Sequence, residues 1–184
     1  MPADRTRILL ITGSTRSGST NTAALRTADA LGDPAIATVL YERLSELPHF
    51  NPDDDFDPLP APVRELREQI GAADGVLFCT PEYAGALPGS FKNLLDWTVG
   101  GAEMYGKPVA WINVAGEGRG EHAHASLRTV LGYVGASIVE PAVARIVVGR
   151  DAVGPDGLVA DPDVRARIEG AVRAFAAATR PAPG

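Results

Sequence analysis

Gly13-Ser14-Thr15-Arg16-Ser17-Gly18-Ser19-Thr20-Asn21 is the stretch on which the fold turns. It follows the apolar run Ile8 to Ile11 and precedes an alanine-rich pattern with helical spacing from Thr22. Strand, loop of glycines and hydroxyls, then helix is the geometry of an anion site. Glycines let the backbone approach the anion, and hydroxyls and the free N–H groups of the helix start donate to it. Arg16 adds a charge-assisted donor suited to phosphate oxygens. The spacing narrows the ligand. Gly13 and Gly18 stand as in the triphosphatase loop Gly-x-x-x-x-Gly-Lys-[Ser/Thr], but Ser19 takes the place of the lysine that would reach β- and γ-phosphates. Thr15 stands where the dinucleotide fingerprint Gly-x-Gly-x-x-Gly needs a glycine. A cradle for one terminal phosphate remains. The competing reading is a plain strand-to-helix turn capped by Ser19 or Asn21, with the other hydroxyls solvated.

Working outward, apolar runs alternate with helical patterns along the whole chain. Strands are expected at Ile8 to Thr12, Ala35 to Tyr41, Gly75 to Thr80, Pro108 to Val114, and Ser137 to Val148, the last interrupted by Pro141. Helices are expected from Thr22 to Leu31, from Pro62 to about Gly71, from Pro88 to about Val99, from Ala125 to Val134 and from Asp161 to Thr179. Leu44 to Pro60 reads as a long irregular surface loop, and Arg180 to Gly184 as a frayed tail. Strand and helix alternating in this way imply α/β architecture: a parallel sheet covered on both faces, with no internal repeat or linker, and residues 1–184 forming a single domain. In such sheets ligands bind beyond the carboxyl ends of the strands, where strand order reverses. Three broken loops fall there: Gly13 to Asn21, Pro81 to Leu87 and Ala115 to Gly120.

Composition bounds the partners. A net charge of −6 over 184 residues, not concentrated on the motif loops, argues against nucleic acid. The single cysteine, Cys79, excludes an internal disulfide, fits a reducing compartment and sits in an apolar run as a buried inert thiol. Met1 to Arg7 is polar, without the apolar core of a signal peptide, and no run approaches a membrane span; a cytoplasmic location is the expectation. Asp53-Asp54-Asp55 lacks ligand spacing and reads as a solvated run, so no metal is expected. His122 and His124 face different ways on a helix and read as helix-end or interface residues.

The loops suggest a composite ligand. The second offers a carboxylate, a phenol and a rigid proline turn, suited to a flat polar heterocycle with Tyr83 near enough to stack. The third, with Gly116, Gly118 and Gly120, allows close backbone approach on the other side. Phosphate at one end and a planar ring at the other describe flavin mononucleotide (FMN), which sits at the switch between strands one and three of a 2-1-3-4-5 sheet.

The chain resembles the NADPH-dependent FMN reductase family, the flavodoxin-like group that includes quinone, azo-dye and chromate reductases. The matching residues are Gly13-Ser14-x-Arg16-x-x-Ser19-x-Asn21, Thr80-Pro81-Glu82-Tyr83, and Pro88-Gly89-x-x-Lys92-Asn93-x-x-Asp96-Trp97. Phe50-Asn51-Pro52-Asp53, Gly106-Lys107-Pro108-Val109 and Leu127-Arg128 match as well, so the likeness runs from about Ile8 to Val139. It implies a flavodoxin-like doubly wound five-stranded parallel sheet. It also implies that Ser14, Arg16, Ser19, Thr20 and Asn21 hold the FMN phosphate, that Pro81, Glu82, Tyr83 and Ala84 line the ring mainly through backbone, and that Gly116 approaches its other edge. In the family the helix after Pro88 packs at a dimer interface, so a homodimer or dimer of dimers is implied, and Lys92, Asn93, Asp96 and Trp97 have either a structural or a ligand-contacting role. The chain departs from the family pattern at Ala84, where asparagine is usual, and at Ala86 and Ala115, where serine is common. These changes leave the phosphate end intact and make the ring end more apolar.

The activity implied is hydride transfer from NADPH or NADH by way of FMN to a small-molecule acceptor such as a quinone, flavin or azo compound, with no protein acid or base required. No catalytic side chain is therefore named. Arg119 is the candidate for the 2′-phosphate of NADPH, against a solvated loop arginine. The alternatives are a flavodoxin-type electron carrier that does not use NAD(P)H, and a non-catalytic interaction protein that has lost the cofactor.

Overall fold

The apolar runs Ile8 to Ile11, Val76 to Cys79 and Val109 to Ile112 are buried on both faces, and their side chains sort by period-two alternation. The structure, a computed structural model, describes residues 5–179. Its strands are β1 (Thr6–Thr12), β2 (Ile36–Tyr41), β3 (Gly75–Cys79), β4 (Pro108–Asn113), β5 (Ser137–Ile138) and β6 (Ala144–Arg145). Its helices are α1 (Thr20–Asp29), α2 (Ala61–Ala72), α3 (Gly89–Asp96), α4 (Glu121–Tyr133) and α5 (Pro162–Thr179). Leu9, Ile11, Val76, Phe78, Val109 and Trp111 pack towards α2, α3 and α4, meeting Leu66, Ile70, Leu94 and Leu127. Ile8, Leu10, Leu77, Cys79, Ala110 and Ile112 point the other way, onto Ala24, Leu25, Ile168 and Phe175 of α1 and α5.

All strands pair in parallel, in the order β2-β1-β3-β4-β5, as expected for a flavodoxin-like sheet. Registers such as Thr12 opposite Cys79 and Phe78 opposite Trp111 bring the carboxyl ends of β1, β3 and β4 to one edge. Sequence order reverses at β1, whose neighbours are β2 and β3, so the loop that opens the chain's first motif lies at the switch point.

Three expectations are refined. The last strand is two pieces: β5 and β6 each pair with β4, separated by a 3₁₀ turn at Glu140–Ala142 that carries Pro141, because proline has no N–H for a ladder. The segment from Leu44 to Pro60 is the irregular, largely exposed surface segment expected, but it is anchored. It contains 3₁₀ turns at Leu44–Glu46 and Pro52–Asp54, and Phe50 meets Trp97 edge-on at 5.0 Å. Trp97 Nε1 and Asn93 Nδ2 both donate to Pro48 O, at 2.8 and 2.9 Å, and Phe50 N donates to Asn93 Oδ1 at 2.7 Å. Asn93 and Trp97 thus anchor this segment, while Lys92 and Asp96 pair with each other at 2.6 Å. Finally, α4 starts at Glu121, a turn before the apolar pattern that suggested Ala125. The expected tail Arg180 to Gly184, and Met1 to Asp4 of the polar amino terminus, lie outside the described residues.

Candidate functional site

The loop after β1 is shaped by its own short side chains. Ser19 is the N-cap of α1 and accepts from Thr22 N; Thr12 and Thr22 hydroxyls meet at 3.1 Å; Ser14 N donates to Thr12 Oγ1 and Arg16 N to Ser14 Oγ, both at 3.3 Å. Gly18, at φ +67°, makes the left-handed turn into the helix with open space around it. Gly13 has another reason to be glycine than approach to an anion. A Cβ there would stand 2.2 Å from Thr80 Oγ1 and 3.0 Å from Phe91 Cδ1, so its bareness lets β1 and β3 end side by side.

The residues expected at the phosphate come together. Ser14, Arg16, Ser19, Thr20 and Asn21 line one cavity of about 190 Å³, closed on its other side by Pro81, Tyr83 and Arg150. Arg16 Nη2 donates to Gly18 O at 2.8 Å, and no carboxylate pairs with Arg16 or Arg150 among the described residues. Asn21 also has a structural task, since its Oδ1 accepts from the Cys79 thiol at 3.3 Å, and burial pushes that thiol's pKa up and keeps it protonated. Hydroxyls, unpaired guanidinium groups and the start of a ten-residue helix form a donor set that fits a phosphate monoester. The volume is below the roughly 300–1,000 Å³ of a whole small-molecule site, so it takes one end of a mononucleotide.

The loops after β3 and β4 are built by cross-bracing. Tyr83 and Ala86 exchange backbone hydrogen bonds of 3.1 and 3.0 Å around Ala84 and Gly85, both at positive φ (+50° and +72°). This is a tight two-residue turn of the kind that favours Asn-Gly, which gives the family's asparagine at this position a backbone reason. Glu82 turns its carboxylate away from the phosphate cavity: Oε2 accepts from Ala123 N at 3.0 Å and caps α4. Gly120, the residue before α4, has φ +81° and no side chain to cap with, so the cap comes from another loop. Asn113, buried at the end of β4, accepts from Ala115 N at 3.0 Å and donates to Arg119 O at 3.2 Å; a Cβ on Gly120 would sit 2.8 Å from it. Arg145 Nη1 donates to Gly116 O at 3.0 Å, and its other nitrogen pairs with Glu121. Glu82, Ala84 and Gly116 therefore do not line the phosphate cavity and belong to this second, braced part.

Sequence reasoning missed Asn113, Arg145 and Arg150: Arg145 finds its partners 24 to 29 residues away, Arg150 reaches the cavity from a distant hairpin, and no motif marks Asn113. It also placed His124 at a helix end or interface. His124 does lie in the first turn of α4, and its imidazole is buried there, stacked on Trp111 with ring centroids 6.1 Å apart; neither ring nitrogen has a hydrogen-bond partner among the described residues. Burial holds its pKa down at about 4; Glu121 and Glu82 pull it up and Arg145 pushes it down. His122 is exposed. Among the described residues, no group of three His, Cys, Asp or Glu side chains is placed to hold a metal, and no helix is long and apolar enough to cross a membrane.

A 2-1-3-4-5 sheet with a phosphate-type cavity at its switch point defines a flavodoxin-like protein that takes a mononucleotide. The sequence profile described as NADPH-dependent FMN reductase matches residues 6–147. The chain belongs to that family, and is an FMN-dependent NAD(P)H oxidoreductase. It is 34% identical over 176 residues to an NAD(P)H-dependent FMN reductase of Pseudomonas aeruginosa, covering 94% of this chain and 95% of the relative. It is 28% identical to a quinone reductase of Escherichia coli, with the same coverage of each. Among solved structures, a flavoenzyme NAD(P)H:acceptor oxidoreductase of Paracoccus denitrificans superposes with a TM-score of 0.82 at 30% identity, covering 95% of this chain and 97% of that one.

Proposed function

We propose that the chain, folded as one domain, uses FMN to pass hydride from NADPH or NADH to a quinone, flavin, azo compound or similar small acceptor. The observation that carries this reading is the single cavity shared by the loop after β1 and by Pro81 and Tyr83. The chemistry FMN supplies when bound is hydride transfer between nicotinamide and acceptor. The chain's own residues bind and orient. Ser14, Ser19, Thr20, Asn21 and the first N–H groups of α1 donate to the phosphate, and Arg16 neutralises its charge. Pro81, Glu82, Tyr83 and Ala84 line the ring mainly by backbone, with the Glu82 carboxylate engaged at α4, and Gly116 lies towards its other edge. Tyr83, 54% exposed, leaves that side open to an incoming substrate.

Two further elements belong to the proposal. One is a cytoplasmic location, supported by a lone buried thiol. The other is a homodimer, or a dimer of dimers, involving the surface beside α3. The Asp55 carboxylate lies against Gly100, bringing the neighbouring Phe56 and Val99, 65% and 62% exposed, to one patch. Sedimentation at increasing concentration checks it, with a monomer throughout as the opposing result.

The function is tested by adding FMN to the purified protein and following NADPH absorbance with a quinone present. Flavin uptake with NADPH consumption is expected. Uptake without consumption would make the protein an electron carrier, and no uptake would leave the fold without its cofactor.

A further inference from the structure

Arg150 reaches the phosphate cavity from the far end of the chain, beyond residue 147 where the family match stops. Its position is fixed by backbone. Val148 N donates to Val114 O at 3.0 Å, carrying the ladder of β6 past the end of β4, and Ala152 N donates to Gly149 O at 3.2 Å in the 3₁₀ turn Arg150–Ala152. Beyond that turn Val153 pairs with Val159, and Gly154 N donates to Leu158 O at 2.8 Å. Val159 is fully buried, and its N–H donates to Thr27 Oγ1 of α1 at 2.9 Å. The small hairpin is thus pinned onto the same helix whose first turn faces the cavity. The nearest acidic neighbour in sequence, Asp151, lies against Gly149, where an added Cβ would stand 2.5 Å from its Oδ1.

In a chain of net charge −6, the two guanidinium groups at this cavity have no carboxylate partner among the described residues, so their charge is free to meet a ligand. One guanidinium and a helix start suffice for a singly charged or hydroxyl ligand. A second guanidinium answers a second negative charge. We propose that Arg150 is a specificity-determining residue that makes this site select the dianionic phosphate of FMN over the unphosphorylated flavin, riboflavin. The inference rests on the reading of the cavity as the FMN phosphate site.

The test titrates flavin-stripped full-length protein with FMN and with riboflavin, following quenching of flavin fluorescence. The wild type, Arg150→Ala and Arg150→Lys are compared, with thermal melts confirming that each variant is folded. Arg150→Ala is expected to weaken FMN by about tenfold or more, the scale of one charge-assisted contact, and to leave riboflavin unchanged; Arg150→Lys falls between. Because the second phosphate proton has a pKa of about 6, the gap between wild type and Arg150→Ala should narrow as pH falls from 7 to 5. An unchanged FMN affinity in Arg150→Ala, or an equal loss for riboflavin, overturns the inference while leaving the phosphate site standing. A wild type that binds riboflavin as tightly as FMN overturns the phosphate reading, and the role of Arg150 with it.

Discussion

The loop after β1 and the pair of loops after β3 and β4 share one edge of the sheet but are held by different means. From Ser14 to Asn21 the turn is shaped by neighbours: Ser19 caps α1, Arg16 closes onto Gly18, and Thr12 meets Thr22. The other two loops are held chiefly by side chains reaching across the fold, Glu82 capping α4 and Arg145 gripping Gly116, with Asn113 at the end of β4 bridging the third loop locally. Local construction makes a site rigid at its own helix start. Braced construction lets one residue change two loops together.

The largest expected effect is at the joint between these regions. Gly13→Ala pushes a methyl into Thr80 at a separation no real contact shows, and should cost about 3 kcal/mol, the upper end of what overpacking costs. Urea unfolding measures it, and a loss below about 1 kcal/mol would mean that β1 and β3 part easily at that end.

Acid should act on the braced region next. The His124 pKa is lowered from 6.5 to about 4 in the folded chain, so the unfolded chain binds a proton that the folded one does not. The sign follows: stability is full above pH 6.5, declines as pH falls towards 4, and is lower by up to about 3 kcal/mol below it. His124→Gln should flatten this slope in unfolding measured between pH 4 and 7, and an unaltered slope assigns the acid sensitivity elsewhere.

Glu82→Ala should cost about 1–2 kcal/mol through loss of the α4 cap and leave the donors around Ser14 in place. Riboflavin and FMN should then weaken by equal factors, whereas Ser14→Ala weakens FMN alone. Matching patterns for the two variants would erase the distinction between the regions. The smallest effect is a gain: Ala84→Asn relieves an alanine at φ +50° and should stabilise by about 0.5 kcal/mol, read as a small upward shift in melting temperature.

Legibility in the sequence follows the same division. Ile8 to Ile11 and Val76 to Cys79 announce their burial by composition, and the parallel sheet follows from the alternation of strand and helix. The phosphate loop is legible because its glycines, hydroxyls and helix start are consecutive. Nothing local marks Arg150, which depends on a hairpin seated on Thr27; the partners of Asn113 are local, two and six residues on, but they are backbone atoms and leave no pattern of residue types to read. The early start of α4 was hidden because its cap is Glu82, 41 residues back. The structural role of Trp97 and Asn93 is not legible either, because their shared acceptor, Pro48 O, lies 45 or more residues back in the chain.

The split between β5 and β6 bears on what this border of the sheet offers to another strand. A long exposed outer strand would offer an unbroken row of amide and carbonyl groups to a neighbour's sheet. Here that border is two runs of two residues with a proline turn between them, so a second molecule finds no continuous rail to extend. This border is therefore a poor template for fibre growth by strand addition.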